Sequence, residues 1–437
     1  MTRFIAFLIF LVFVNDWDCA YASHLGAPMG WVQSLLLEPT PIKIRPFDLI
    51  LLVVLLSSSK RNKKNAVVAP MKQALLLVLG TTVVWFFYGI TRGGEFRYAS
   101  WQTYLILSTV LLAFTVASTF RTAADIGGLA KWLIAAALYR AIMCWLSYFT
   151  WGRNSVGESG AYLTSHSDTI GWVVSILVLI VNAIDRRSPS VTLRNIALIL
   201  FFIGAIQWNS RRLAWVSLAM GLAMLYLLFP PGPAKRRINR IAFVSVPFLL
   251  MYAAVGWNSQ SPIFLPLRSI STVSTSEDAS TLARNTENLG LIATANSSSF
   301  AFGTGWGRPY VYLTLKYDIS GFELWRYVPH NSILGVLAFT GVLGFAGFWL
   351  ALPTAVFLHA RTVRIGKDPK ARNAAMIGAA QLVVCTNQLY GDMGIFDMKA
   401  MYVIAVSYAI ALRMPYIAGV WDSPSAGDGA ASTSKRK

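Results

Sequence analysis

The chain has 437 residues, 55% hydrophobic and only 13% charged, with a formal net charge of +19. A soluble protein of this length carries about a quarter charged residues, so the composition excludes an ordinary water-soluble enzyme. The basic residues collect in short runs between apolar blocks, as the cytoplasmic loops of membrane proteins retain Lys and Arg, and nucleic acid is set aside as a partner.

The apolar blocks are mostly long enough, with their flanks, to cross a hydrocarbon core of about 30 Å, where backbone groups must pair internally as helices. The fold class expected is therefore all-α, a polytopic transmembrane bundle of about twelve helices. They are predicted near 4–20, 46–58, 73–91, 101–119, 128–149, 168–185, 192–209, 212–229, 239–256, 332–358, 372–390 and 397–413. The first is either a retained helix or a signal segment ending at Ala20-Tyr21-Ala22. Asp16 and Asp18 before that site favour a retained helix.

The run Lys60-Arg61-Asn62-Lys63-Lys64 fixes one loop as cytoplasmic. The other basic stretches then alternate to the same side: Arg186-Arg187, Lys235-Arg236-Arg237, Arg361 to Arg372, and the final Lys435-Arg436-Lys437. The expected organisation is helices one to nine over 1–256, a large extracytoplasmic loop over 257–330, helices ten to twelve over 331–413, and a disordered cytoplasmic tail over 414–437. The loop is too long for a plain connector and carries aromatic residues such as Trp306, Tyr310 and Trp325, so it is expected to fold. Cys19, Cys144 and Cys385 are far apart, with no spacing that suggests a metal site or a disulfide framework.

Four features fall on the extracytoplasmic side. Ser210-Arg211-Arg212 stands at the junction of two apolar helices, where the arginines read as interfacial anchors or as anion-binding groups. Arg284 lies in the loop, solvated or functional. Gly303-Thr304-Gly305-Trp306-Gly307 permits close backbone approach. Pro329-His330-Asn331 precedes Ser332-Ile333-Leu334, with Asn331 or Ser332 as a helix N-cap and His330 as one of only four histidines. Arg140 is a separate matter: an ionised residue mid-helix needs a buried acid, a lipid phosphate or water beside it.

In order and spacing these residues resemble the signature of the O-antigen ligase and polymerase superfamily of bacterial polysaccharide assembly. The resemblance rests on Ser210-Arg211, Arg284, Gly303-Thr304-Gly305, His330-Asn331 and Gly341-Val342-Leu343-Gly344, with Ser165-His166-Ser167-Asp168 similar to an earlier loop of the family. It implies a metal-independent, cofactor-free inverting glycosyltransferase of the bacterial inner membrane, with its site facing the periplasm. The donor implied is an oligosaccharide on polyprenyl pyrophosphate, and the acceptor a sugar hydroxyl such as that of lipid A core. On this reading Arg211 and Arg284 stabilise the departing phosphate and His330 is the base. Arg212, Gly303, Gly305 and Asn331 bind substrate, and Asp392 and Asp397 are possible acceptor-site groups. The alternatives are a polymerase of the same superfamily, a lipid-linked sugar flippase and a non-enzymatic envelope scaffold.

Overall fold

The computed structural model describes residues 1–17, 19–39, 44–61, 67–152, 163–185, 188–259, 261–264, 266–267, 279–313 and 324–421. Asn62 to Lys64 of the first basic run and the pair Arg186-Arg187 lie outside these, as does the end of the chain from residue 422. Among the described residues the architecture is helical, with one isolated bridge between Ser299 and Gly303 and no strand.

In chain order the main helices are α1 (Thr2–Val14), α2 (Pro46–Arg61), α3 (Ala69–Thr91), α4 (Phe96–Thr119), α5 (Ala123–Ser147), α6 (Asp168–Asp185) and α7 (Pro189–Trp208). They continue as α8 (Arg212–Leu228), α9 (Pro233–Gly256), α10 (Ala279–Ser297), α11 (Ser332–Trp349), α12 (Ala351–Ile365), α13 (Pro369–Gly391) and α14 (Met398–Ile417). Among the described residues eight helical stretches are long and apolar enough to cross a membrane, with α11 and α12 counted as one. Three more apolar helices are shorter, α1, the Pro46–Ser58 part of α2, and α8. Leu, Val, Ile and Ala dominate these stretches, and Pro at the first turn of α3, α7, α9 and α13 starts each where its missing N–H is harmless.

The bundle is built around α14, 83% buried over its apolar window, which packs on α4 and α13. α13 in turn packs on α8 and α12, while α1 packs on α5. At the other extreme α9 buries none of its apolar window against the chain.

Three expectations shift. The first helix stops at Val14, because Asn15 and the buried Asp16 turn inward to make polar contacts. The predicted helix at 332–358 breaks at Gly341, which adopts φ 61°. Its neighbours Val342 and Leu343 donate instead to the carbonyls of Phe300 and Ala301, and the 298–313 segment is stitched into the bundle. The last helix continues past 413 to Ile417, with Met414 and Pro415 buried and Trp421 stacked near Arg361. The large loop contains α10, and its stretches 268–278 and 314–323 lie outside the described residues.

Candidate functional site

The turn from α7 to α8 places the first arginine. Asn209 is fully buried and its amide clamps the 163–167 loop, accepting from the Thr164 N–H at 3.0 Å. Ser210 then takes φ 52°, uncommon outside glycine, and α8 starts at Arg212. That turn sends Arg211 inward, 8% exposed, and leaves Arg212 on the exposed surface. Of the arginine pair, Arg211 lines the cavity below.

α10 carries Arg284 and Glu287 one turn apart on one face. Glu287 is 4% exposed. Its Oε2 accepts from the His330 backbone N–H at 2.9 Å and lies 3.1 Å from His330 Nδ1, while Oε1 accepts from the Tyr310 hydroxyl at 3.1 Å. Burial, then the charge of Glu287, pushes the Tyr310 phenol up, so it stays a donor. A carboxylate on Nδ1 leaves Nε2 as the ring atom for proton transfer.

His166 forms a second pair, its Nδ1 2.5 Å from Asp392 Oδ2, to which Gln388 also donates at 3.2 Å. Burial pushes the Asp392 carboxyl up, but the hydrogen bond and charge of His166, with the charges of Arg211 and Arg284, hold it below its ordinary value. Arg284 is half-buried and is not among the residues that line the cavity below; its charge is the smallest of those that act on Asp392. Met393, also at positive φ (52°), donates its N–H to the His330 carbonyl at 2.8 Å. The two non-glycine residues with positive φ among the described residues thus adjoin Arg211 and Asp392. Sparsely populated backbone of this kind gathers where function fixes geometry. Asp397, which caps α14, is pushed up to about 7 by burial.

These groups surround one cavity of about 730 Å³, lined by Arg211, His330, His166, Asp392, Asp397 and Lys399, with Trp101 and Tyr104 on one wall. It sits at the end of the bundle where α3 turns into α4. The cations suit an anion such as a phosphate, and His330 suits proton removal beside it. Among the described residues no three of His, Cys, Asp and Glu converge closely enough to hold a metal ion.

The remaining sequence candidates take other places. Asn331 caps α11, its Oδ1 accepting from the Leu334 N–H at 3.1 Å. Gly303 and Gly305, at φ 64° and 86°, serve contacts within the chain. A Cβ on Gly303 would meet the Gly341 backbone N at 2.6 Å, and one on Gly305 the Gly89 Cα at 2.2 Å.

Arg140 finds its acid. Its Nε donates to Asp168 Oδ1 at 2.9 Å and its Nη2 to Oδ2 at 2.5 Å, while Nη1 reaches the Tyr21 hydroxyl at 2.6 Å and Nη2 also contacts Cys19. Lys399 Nζ holds the same Asp168 Oδ1 at 2.6 Å. The Tyr21 and Tyr139 hydroxyls both donate to Asp16. Lys399 is where this buried ionic network meets the cavity.

Sequence reasoning missed Glu287. The one available signal was its place three residues after Arg284, and nothing linked it to a histidine 43 residues on. The chain matches no protein-family model and no curated protein.

Proposed function

We propose that the chain is a membrane glycosyltransferase that moves an oligosaccharide from a polyprenyl pyrophosphate to a sugar hydroxyl, as an O-antigen ligase or a polymerase of the same superfamily does. The observation that carries the reading is the convergence of Arg211 and His330 on one cavity, with Glu287 behind the histidine and the charge of Arg284 within reach. The alternation of basic loops supports a cavity facing away from the cytoplasm.

In this mechanism the acceptor oxygen attacks the anomeric carbon, and the bond from that carbon to the pyrophosphate oxygen breaks. The bonding pair leaves with the pyrophosphate. The acceptor proton passes to His330 Nε2, and the resulting imidazolium is held by the Glu287 carboxylate. Attack from the face opposite the leaving group inverts the anomeric centre. The guanidinium groups meet the charge that grows on the phosphate, and removing one such preorganised donor typically costs about 2.7–4 kcal/mol in the transition state.

The test is reconstitution of the purified protein with polyprenyl-pyrophosphate oligosaccharide, with and without lipid A core. Product only with the core identifies a ligase, and longer lipid-linked chains without it identify a polymerase. Sugar lipid crossing the bilayer with no new glycosidic bond would replace the reading with a transporter. Arg211→Lys should fail in the same assay, since an ammonium cannot reproduce a planar two-point contact.

A further inference from the structure

A second cavity, about 670 Å³, lies between the N-terminal ends of α2 and α4. Its long wall is a stripe of α4 running from Phe96 and Arg97 through Ser100, Trp101 and Tyr104 to Leu107 and Leu111. The fifteen helical steps from Phe96 to Leu111, at about 1.5 Å each, give a groove of about 22 Å, most of the way through a hydrocarbon core of about 30 Å. Its two ends differ in chemistry. Arg45 and Arg97 stand at the mouth, and Leu107 and Leu111 lie at the deep end, where the Asp48 carboxylate on the opposite wall is taken up by the Ser108 hydroxyl. Arg45 stacks on Tyr104, its guanidinium carbon 4.0 Å from the ring centroid, and its Nη1 is buried without a hydrogen-bond partner among the described residues. A buried guanidinium nitrogen in that state favours an anionic oxygen as ligand.

Trp101 and Tyr104 also line the main cavity. The two spaces therefore meet at a wall that includes these two aromatic side chains, and Arg45, stacked on Tyr104, stands on the groove side of it.

We propose that this groove seats the lipid donor: a long hydrocarbon tail along the α4 stripe down to Leu111, and its first phosphate at Arg45, from where the pyrophosphate extends past Trp101 and Tyr104 towards Arg211. The two arginines at the mouth set the orientation, head at the arginines and tail inward, since the carboxylate deeper in the groove would repel a phosphate. The identity of the occupant as donor rests on the transferase reading. The placement of a lipid phosphate in the groove is tested apart from it.

The experiment uses the full chain in phosphatidylcholine nanodiscs. The probe is a sugar-free polyprenyl pyrophosphate with a photoactivatable group near its first isoprene unit, and adducts are mapped by mass spectrometry. Adducts on 44–48 or 96–111 that survive a tenfold excess of phosphatidylglycerol are expected. Their loss to equimolar phosphatidylglycerol would make the groove a general anionic-lipid site, and loss to lipid A core would make it an acceptor site. Either result, or adducts elsewhere, overturns the proposal.

Leu107→Trp, which fills the groove, should raise KM about tenfold for a long-chain donor and leave it within twofold for a short-chain one, with kcat retained. Ser100→Trp provides the same test if Leu107→Trp does not fold. Equal KM values for the two donors overturn the tail placement. If no donor is turned over by the unaltered protein, the transferase reading fails while the crosslinking still reports on the groove.

Discussion

Glu287 holds His330 at two points, the backbone N–H at 2.9 Å and the ring Nδ1 at 3.1 Å, from a helix that begins 51 residues before the histidine. One carboxylate oxygen thus fixes both where the residue sits and how its ring turns. Glu287→Gln keeps an acceptor for the backbone but removes the charge that supports an imidazolium. A fall of roughly 10²-fold in kcat with little change in KM is expected, within the range that general-base catalysis contributes. Steady-state kinetics in nanodiscs would show it, and a kcat near that of the unaltered protein would remove Glu287 from the mechanism.

Asp397 sets a pH dependence. Its carboxyl is pushed up to about 7 by burial, against an ordinary value of about 3.9 in an unfolded chain. Between those values the folded protein binds more protons than the unfolded chain, so stability falls as pH rises and the loss is complete above about 7. Asp392 shifts the opposite way, and its stabilising contribution is already present throughout this window. Thermal melts should therefore drop as pH goes from 5 to 8. Asp397→Asn, still able to cap α14, should flatten that slope, and an unchanged slope would locate the dependence elsewhere.

The buried network around Asp168 responds asymmetrically. Asp168→Asn leaves Arg140 and Lys399 both without their counter-charge and should cost roughly 3–5 kcal/mol. Arg140→Met leaves Asp168 its contact with Lys399 and should cost less. Thermal stability in detergent gives the order of the two, and the reverse order would mean that Lys399 is not an effective partner.

Gly305→Ala has no room. The added methyl would stand 2.2 Å from the Gly89 Cα, at a φ of 86° that side chains rarely adopt. The 298–313 segment should come away from α3, seen as new proteolytic cleavage there with the remaining helices intact. Unaltered protection would show that the segment is held by other contacts.

The apolar helices were legible in the sequence because apolar length is a strong local signal, whereas α10, a polar helix inside the large loop, was not; Arg211 and His330 drew attention because each stands at a helix start. Which arginine of the pair turns inward was not, since it depends on the positive φ of Ser210. Glu287 and Asp168 were not recognised as partners of His330 and Arg140 because the pairs lie 43 and 28 residues apart. Gly303 and Gly305 were recognisable as turn residues, but the backbone they admit belongs to Gly341 and Gly89. A residue pattern signals a close approach without naming what approaches.

The break in α11 at Gly341 has a bearing on biosynthesis. Irregular backbone at membrane depth is tolerated only where protein covers it or water reaches it. The cover is the strip 300–306, which takes bonds from Val342 and Leu343 and gives bonds to Ala338 and Phe339. That strip leaves the ribosome before the helix it mends. As α11 enters the bilayer its missing hydrogen-bond partners have already been synthesised, so the order of translation spares the nascent helix a period with its carbonyls and amides open to lipid.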